Sequence, residues 1–79
     1  MVSPNPASDK ISIESFTKMN GEVTINIMDL KGVLVKSVTV NNEGLLKEPV
    51  DISGLASGQY FVKVQSASNQ FIEKLIIAK

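Results

Sequence analysis

The chain has 79 residues and a mass of 8.5 kDa, the size of a single small domain. It is 43% hydrophobic, with eight lysines, no arginine, eight acidic residues and zero net charge, so it gives no electrostatic reason to bind nucleic acid or an anionic membrane. Because cysteine and histidine are absent, disulfides, thiol catalysis, Cys/His zinc sites and histidine acid–base chemistry are excluded.

Apolar and polar residues alternate along most of the chain, and this period of two predicts β-strands. The alternating segments are, in chain order, residues 10–14, 22–27, 33–40 and 60–65, whereas residues 71–77 are apolar at too many positions to assign an inner face. The apolar parity changes between Val35 and Val38, which indicates a bulge near Lys36 and Ser37. Pro49 cannot donate to a ladder, so we expect its segment on a sheet edge or at a strand start.

Turn-forming residues separate these segments. Asp29 and Gly32 occupy the first and fourth positions of a type I turn, which predicts a hairpin between the flanking strands. Further breaks fall at Asn20-Gly21, at residues 41–44 and at residues 66–69. No segment has helical spacing, and no apolar run approaches the roughly 18 residues of a transmembrane helix.

The sequence therefore predicts an all-β fold, a small antiparallel immunoglobulin-like β-sandwich of about seven short strands. The alternation predicts a core made of Ile11, Ile13, Val23, Ile25, Ile27, Val33, Val35, Val50, Ile52, Leu55, Tyr60, Val62, Val64 and Leu75.

Enzymatic and ligand-binding functions find little support. The acidic residues are spread singly along the outer faces of predicted strands, and the serines lack a histidine base, so we expect no enzyme, no cofactor and no metal site. The segment Asn41–Gly44 offers oxygen ligands, but without the spacing of a calcium loop a plain turn is favoured. The aromatic residues are few enough to be absorbed by the core, which disfavours a sugar-binding platform: Phe16, Tyr60, Phe61 and Phe71.

Several short motifs occur in a specific order. Pro4-Asn5-Pro6 opens the chain, Asp29–Gly32 forms a turn, the block Leu55-x-x-Gly58-x-Tyr60 launches a strand, and the final segment begins and ends with a lysine, Lys74 and Lys79. This set closely resembles the type A C-terminal sorting domain of the type IX (Por) secretion system of Bacteroidetes, over nearly the whole chain. One departure is Ser3, where family members often carry an aromatic residue. The resemblance implies sorting-motif residues at Pro4, Asn5, Pro6, Gly32, Leu55, Gly58, Tyr60, Lys74 and Lys79.

The resemblance also implies a function. Residues 1–79 would be a single C-terminal sorting domain, excised from a larger secreted protein, since the first residues lack the features of a signal peptide. Such domains direct a covalently attached cargo through the periplasm and the type IX translocon to the cell surface or medium. We expect the domain to bind no nucleic acid and not to insert into a membrane. A surface sortase of the cysteine-protease type usually removes them, and the cut is expected upstream of Pro4. The alternative is a non-sorting structural or adhesive β-sandwich module of a cell-surface protein.

Four structural expectations follow from individual residues. Tyr60 should bury its ring and bond its hydroxyl to nearby backbone, and Gly58 should have a positive φ or a close backbone contact. The last two residues, Ala78 and Lys79, should form a polar free end that a partner reads and the fold does not need. A long apolar last strand beside exposed sheet edges suggests a homodimer formed by strand exchange.

Overall fold

A computed structural model describes residues 1–79 as seven β-strands without a helix. No element could therefore cross a membrane as an apolar helix. The strands are β1 (Val2–Ser3), β2 (Lys10–Lys18), β3 (Gly21–Asp29), β4 (Leu34–Asn42), β5 (Leu45–Asp51), β6 (Gly58–Gln65) and β7 (Gln70–Ile77).

The strands form two antiparallel sheets, one in the order β1-β2-β5 and the other in the order β4-β3-β6-β7. The chain crosses between the sheets after β2, after β4 and after β5, whereas β1 and β2, β3 and β4, and β6 and β7 are paired neighbours within one sheet. This is the predicted immunoglobulin-like sandwich. Pro49 lies in β5, opposite Ser12, on an edge of the three-stranded sheet, as its missing N–H requires.

The core lies between the sheets and consists of 16 buried residues. Every predicted core residue on β2, β3, β5, β6 and β7 is buried, together with Ile52 just after β5, because alternation places one parity of each strand inward. Leu55 is partly buried and packs against this cluster. The core also contains residues that the alternation did not include: Val2, Ala7, Met19, Leu46 and Ile77.

The prediction for β4 was wrong at two core positions. Val33 and Val35 are 55% and 38% exposed. Register along the hairpin passes from Ile27 opposite Lys36 directly to Met28 opposite Leu34, so the bulge leaves Val35 as the extra residue, one position before the predicted site. Val33 precedes the strand, and the alternation of Val38 and Val40 continues unbroken to Lys36, which takes the inward position opposite Ile27 in place of Val35.

The expectation that the core absorbs all four aromatic residues was also wrong. Only Tyr60 is buried, whereas Phe71 is half-buried, Phe61 is 37% exposed and Phe16 is 85% exposed. Phe61 follows the outward parity of β6. Phe16 lies where the register between β2 and β5 shifts, so it has no cross-strand partner to pack against.

The segment Asn41–Gly44 is part of a crossover between sheets. The side-chain amide of Asn42 donates to the carbonyls of Met19, at 3.0 Å, and of Gly44, at 3.1 Å. The Gly44 amide donates to Oδ1 of Asn20 at 2.6 Å. These two asparagine side chains thus join the β2–β3 and β4–β5 crossovers to each other, which gives both a structural role.

Candidate functional site

Most of the sorting-motif residues gather at one end of the sandwich. There Gly58, the first residue of β6, lies opposite Ile77, the last residue of β7. The loop of residues 52–57 leads into Gly58, and the β3–β4 turn lies at the same end because Asp29 is opposite Tyr60. We call this the motif end, meaning residues 29–33, 52–60 and 74–79 together with the opening segment, residues 4–7.

Asn5 bonds the opening segment to the edge of β7. Its side-chain amide donates to the carbonyl of Lys74 at 2.9 Å, and its Oδ1 accepts from the amide of Ile76 at 3.0 Å. A neighbouring strand would offer β7 the same alternation of donor and acceptor. Asn5 therefore substitutes for a strand residue, with partners about 70 positions away in the chain.

Ala7 continues this pairing with its backbone. Its amide donates to the carbonyl of Ile76 at 2.8 Å, and its carbonyl accepts from the amide of Ala78 at 2.8 Å, in a parallel bridge to Ile77. The side chain of Ala7 is buried in the core. The opening segment consequently covers the C-terminal half of the β7 edge, which would otherwise be an open template for another strand.

The block from Leu55 to Tyr60 forms a tyrosine corner. The Tyr60 hydroxyl donates to the carbonyl of Ala56 at 2.7 Å, four residues upstream, and the ring is buried. A tyrosine in this position at the start of the sixth strand closes the corner of many immunoglobulin-like sandwiches. Gly58 has a φ of 158°, and a Cβ there would stand 3.8 Å from Cε2 of Tyr60. Both expectations, for Tyr60 and for the positive φ of Gly58, are confirmed.

Gly32 closes the β3–β4 turn. Its amide donates to the carbonyl of Asp29 at 3.0 Å, and its φ of 84° lies in the left-handed region that favours glycine. The Asp29 carboxylate accepts from the amides of Lys31, at 2.9 Å, and Val33, at 3.0 Å. The predicted hairpin is therefore confirmed, and Gly32 has a turn-forming role.

The C-terminal tail is bonded to the fold, contrary to the expectation of a free end. The Lys79 amide donates to Oγ of Ser57 at 3.1 Å, and its Nζ donates to the carbonyl of Ser53 at 2.6 Å. The same loop is ordered by Asp51, whose carboxylate accepts from the Ser53 amide at 2.9 Å. The bonds from the amide and the hydroxyl of Ser53 hold the pKa of Asp51 below its usual range.

The polar groups described at the motif end are engaged with the chain itself, and no three His, Cys, Asp or Glu residues come together to hold a metal. The surface cavities lie elsewhere, around residues 20–21 with 41–43, around residues 65–70, and beside Phe16 and Phe71. What the arrangement provides is a bonded junction between the opening segment and the C-terminal residues.

Sequence reasoning identified Asn5, Tyr60 and Lys79 but missed the groups that they contact. Those partners are mostly backbone atoms, namely the carbonyls of Ser53, Ala56 and Lys74. A backbone carbonyl carries no sequence signal.

The fold and the site define a small immunoglobulin-like β-sandwich whose opening segment and C-terminal residues are bonded to each other. Its motifs belong to a known group: the model of the family described as secretion system C-terminal sorting domain matches residues 1–78, and the chain belongs to that family. A comparison with curated proteins found no match. The chain is therefore a C-terminal sorting signal of the type IX secretion system of Bacteroidetes, which acts on an attached cargo, interacts with the type IX machinery and specifies export to the cell surface or beyond.

Proposed function

We propose that residues 1–79 act as one folded label that guides a cargo, attached upstream, from the periplasm through the outer-membrane translocon. The observation that supports this is the junction of the opening segment with β7 and the tail. The cargo joins the domain at Met1 and β1, which lead directly into the opening segment, so the junction ties the chain that follows the cargo to the C-terminal residues. A receptor that binds the motif end can therefore contact the C-terminal residues and the opening segment together.

We propose further that a surface sortase removes the domain by cutting upstream of Pro4. A protease needs an accessible, extended segment, whereas Val2 and Ser3 are paired with β2 and the chain from Asn5 onward is bonded against β7. A cut within residues 1–7 would first require these bonds to break, so the accessible chain is the linker to the cargo.

The test is a reporter carrying an N-terminal signal peptide and fused upstream of residue 1, expressed in a Bacteroidetes host. The expected result is reporter at the cell surface or in the medium, shortened by about the 8.5 kDa of the domain, and uncut reporter in a host without sortase activity. A reporter without the domain is the control and should stay in the periplasm. Equal export of both would contradict sorting and favour a purely structural or adhesive module.

We propose that the type IX machinery also recognises residues 78–79, although these residues contribute hydrogen bonds to the fold as well. A deletion of residues 78–79 should therefore be compared with Tyr60→Phe, which is expected to cost similar stability without altering the tail. Loss of export with the deletion alone supports recognition of the tail. Equal loss with both variants would mean that stability explains the defect.

Strand exchange between two copies is the proposed route to a homodimer. The N-terminal half of β7, residues 70–73, has a free edge. Along the C-terminal half, residues 74–77, the outer edge is paired only through the hydrogen bonds of Asn5 and Ala7. Light scattering at high protein concentration should show a dimer that Asn5→Ala promotes. Only monomer for both proteins would contradict the exchange.

A further inference from the structure

The outer face of the four-stranded sheet carries an apolar patch that the motif end does not use. Phe61 lies at its centre, 37% exposed, and Ile72 and Leu34 are 57% and 54% exposed. We call this the outer patch; its members all point away from the other sheet: Met28, Leu34, Phe61, Ile72 and Ile76.

The strand register makes the outer patch continuous. Phe61 is directly opposite Met28 on β3, which is in turn opposite Leu34 on β4. On the other side, Ile72 and Ile76 are the diagonal neighbours of Phe61, within reach of an aromatic side chain. Single exposed apolar residues are ordinary, but a continuous group that spans four strands marks an interaction surface.

The charges around the outer patch are of one sign. Lys74 is directly opposite Phe61, and Lys63 is directly opposite Ile72. The one ion pair within 4.0 Å in the molecule joins Glu73 to the N-terminal amine. Neither Lys63 nor Lys74 is therefore paired with a carboxylate. The carboxylate on this face, Glu22, lies six residues from Met28 along β3, which is about 20 Å. A chain with zero net charge thus presents two unpaired cations beside its exposed apolar residues.

We infer that the outer patch docks onto a protein surface of the type IX export machinery that combines apolar side chains with flanking carboxylates. The inference rests on the proposed export function and names the chemistry of its partner. Apolar contact with Phe61 and Ile72 supplies the affinity, and the carboxylates pair with Lys63 and Lys74, which sets orientation and association rate. The outward side chain of Lys74 thereby gains a role distinct from that of its carbonyl, which binds Asn5.

Two other occupants fit the outer patch less well. A second copy, face to face, would bring Lys63 and Lys74 of one chain against those of the other, and like charges in an interface oppose association. A lipid would need a groove for its acyl chain, whereas the cavities of this domain all lie outside the outer patch. The flat four-stranded face suits a protein surface.

The apolar contact is tested in the export assay with Ile72→Thr and, separately, Phe61→Thr, both of which keep a residue suited to a strand. Phe16→Thr is the matched control, since Phe16 is the most exposed aromatic residue and lies on the other sheet. We expect either patch variant to lower export about tenfold or more, and the control to leave it within about twofold. Melting temperatures of the purified domains identify any variant that fails to fold, and Ile72→Thr, at the more exposed site, keeps the test valid if Phe61→Thr unfolds.

The charge contribution is tested by neutralising two lysines at a time. Lys63→Gln with Lys74→Gln should lower export about threefold to tenfold, whereas Lys10→Gln with Lys47→Gln, the same charge change on the three-stranded sheet, should not. A photo-crosslinking residue at position 61 should capture a type IX component during export, and the same residue at position 16 should not.

The outcomes separate the two proposals. If the unaltered domain fails to export the reporter, the proposed function and this inference both fall. If the unaltered domain exports it and the patch variants do so equally well, only the inference is overturned. Crosslinking of position 61 to a second copy or to lipid would likewise overturn it.

Discussion

Replacement of Asn5 by alanine should loosen the junction of the two chain ends. The change removes two hydrogen bonds, from the Asn5 amide to the Lys74 carbonyl and from the Ile76 amide to Oδ1. Each is exposed and contributes about 0.5–1 kcal/mol, so Asn5→Ala should lower the free energy of unfolding by about 1–2 kcal/mol. For a domain of this size that corresponds to a fall of about 5–10 °C in Tm.

The two bonds can be separated by a second substitution. Asn5→Asp keeps an oxygen that accepts from Ile76 but cannot donate, and it directs a carboxylate at the Lys74 carbonyl. We expect it to lower stability by about 1 kcal/mol and to leave the Ile76 amide bonded.

Amide hydrogen exchange provides the site-specific assay. In Asn5→Ala the Ile76 amide loses its acceptor and should exchange about tenfold faster, whereas in Asn5→Asp it should stay protected. Asn26→Ala is the control, since it removes a half-buried asparagine side chain that is bonded only to the Ser37 hydroxyl and has no contact with β7; it should leave the exchange of the Ile76 amide unchanged. Unchanged Ile76 exchange in Asn5→Ala would refute the strand-like role of Asn5.

Three further predictions concern the loop and the tail. Tyr60→Phe removes the bond to the Ala56 carbonyl and should cost about 1 kcal/mol in urea denaturation; no loss would show that the corner does not need its hydroxyl. Deletion of residues 78–79 removes three hydrogen bonds and should cost about 1–2 kcal/mol, more than a free end would; a loss under about 0.5 kcal/mol would restore the expectation of a dispensable tail. Because bonds from Ser53 depress the pKa of Asp51, its stabilisation is present above the ordinary aspartate pKa of about 3.9 and is lost as pH falls through the lower folded value. Asp51→Asn should remove this part of the pH dependence in denaturation below about pH 4, and an unchanged pH profile would contradict the assignment.

The central strands illustrate what alternation can predict. Ile11 and Ile13, Ile25 and Ile27, and Val62 and Val64 are all buried as predicted. Each of these pairs lies in a stretch of strand that keeps a regular register with at least one neighbour, so the inward parity is a local property that the sequence displays.

Alternation did not predict burial correctly at sheet edges and at irregular positions. Val35 has the same side chain and spacing as the core valines, yet the bulge on the edge strand β4 exposes it. Ala7 and Met19 are buried although neither belongs to an alternating segment, because each lies where the chain enters or leaves a sheet. Their burial depends on contacts that no local pattern encodes.

Residue types and short spacings were enough to predict the strands, the hairpin at Asp29, the buried ring of Tyr60 and the resemblance to the sorting-domain family. The paired strands were needed to show that Asn5 acts as a strand residue for β7, that Lys79 is bonded to the Ser53 carbonyl and that Phe61 lies at the centre of an exposed surface. Each of these features joins segments distant in the chain, often through backbone atoms, and a backbone carbonyl or the neighbour across a sheet becomes defined only when the strands have paired.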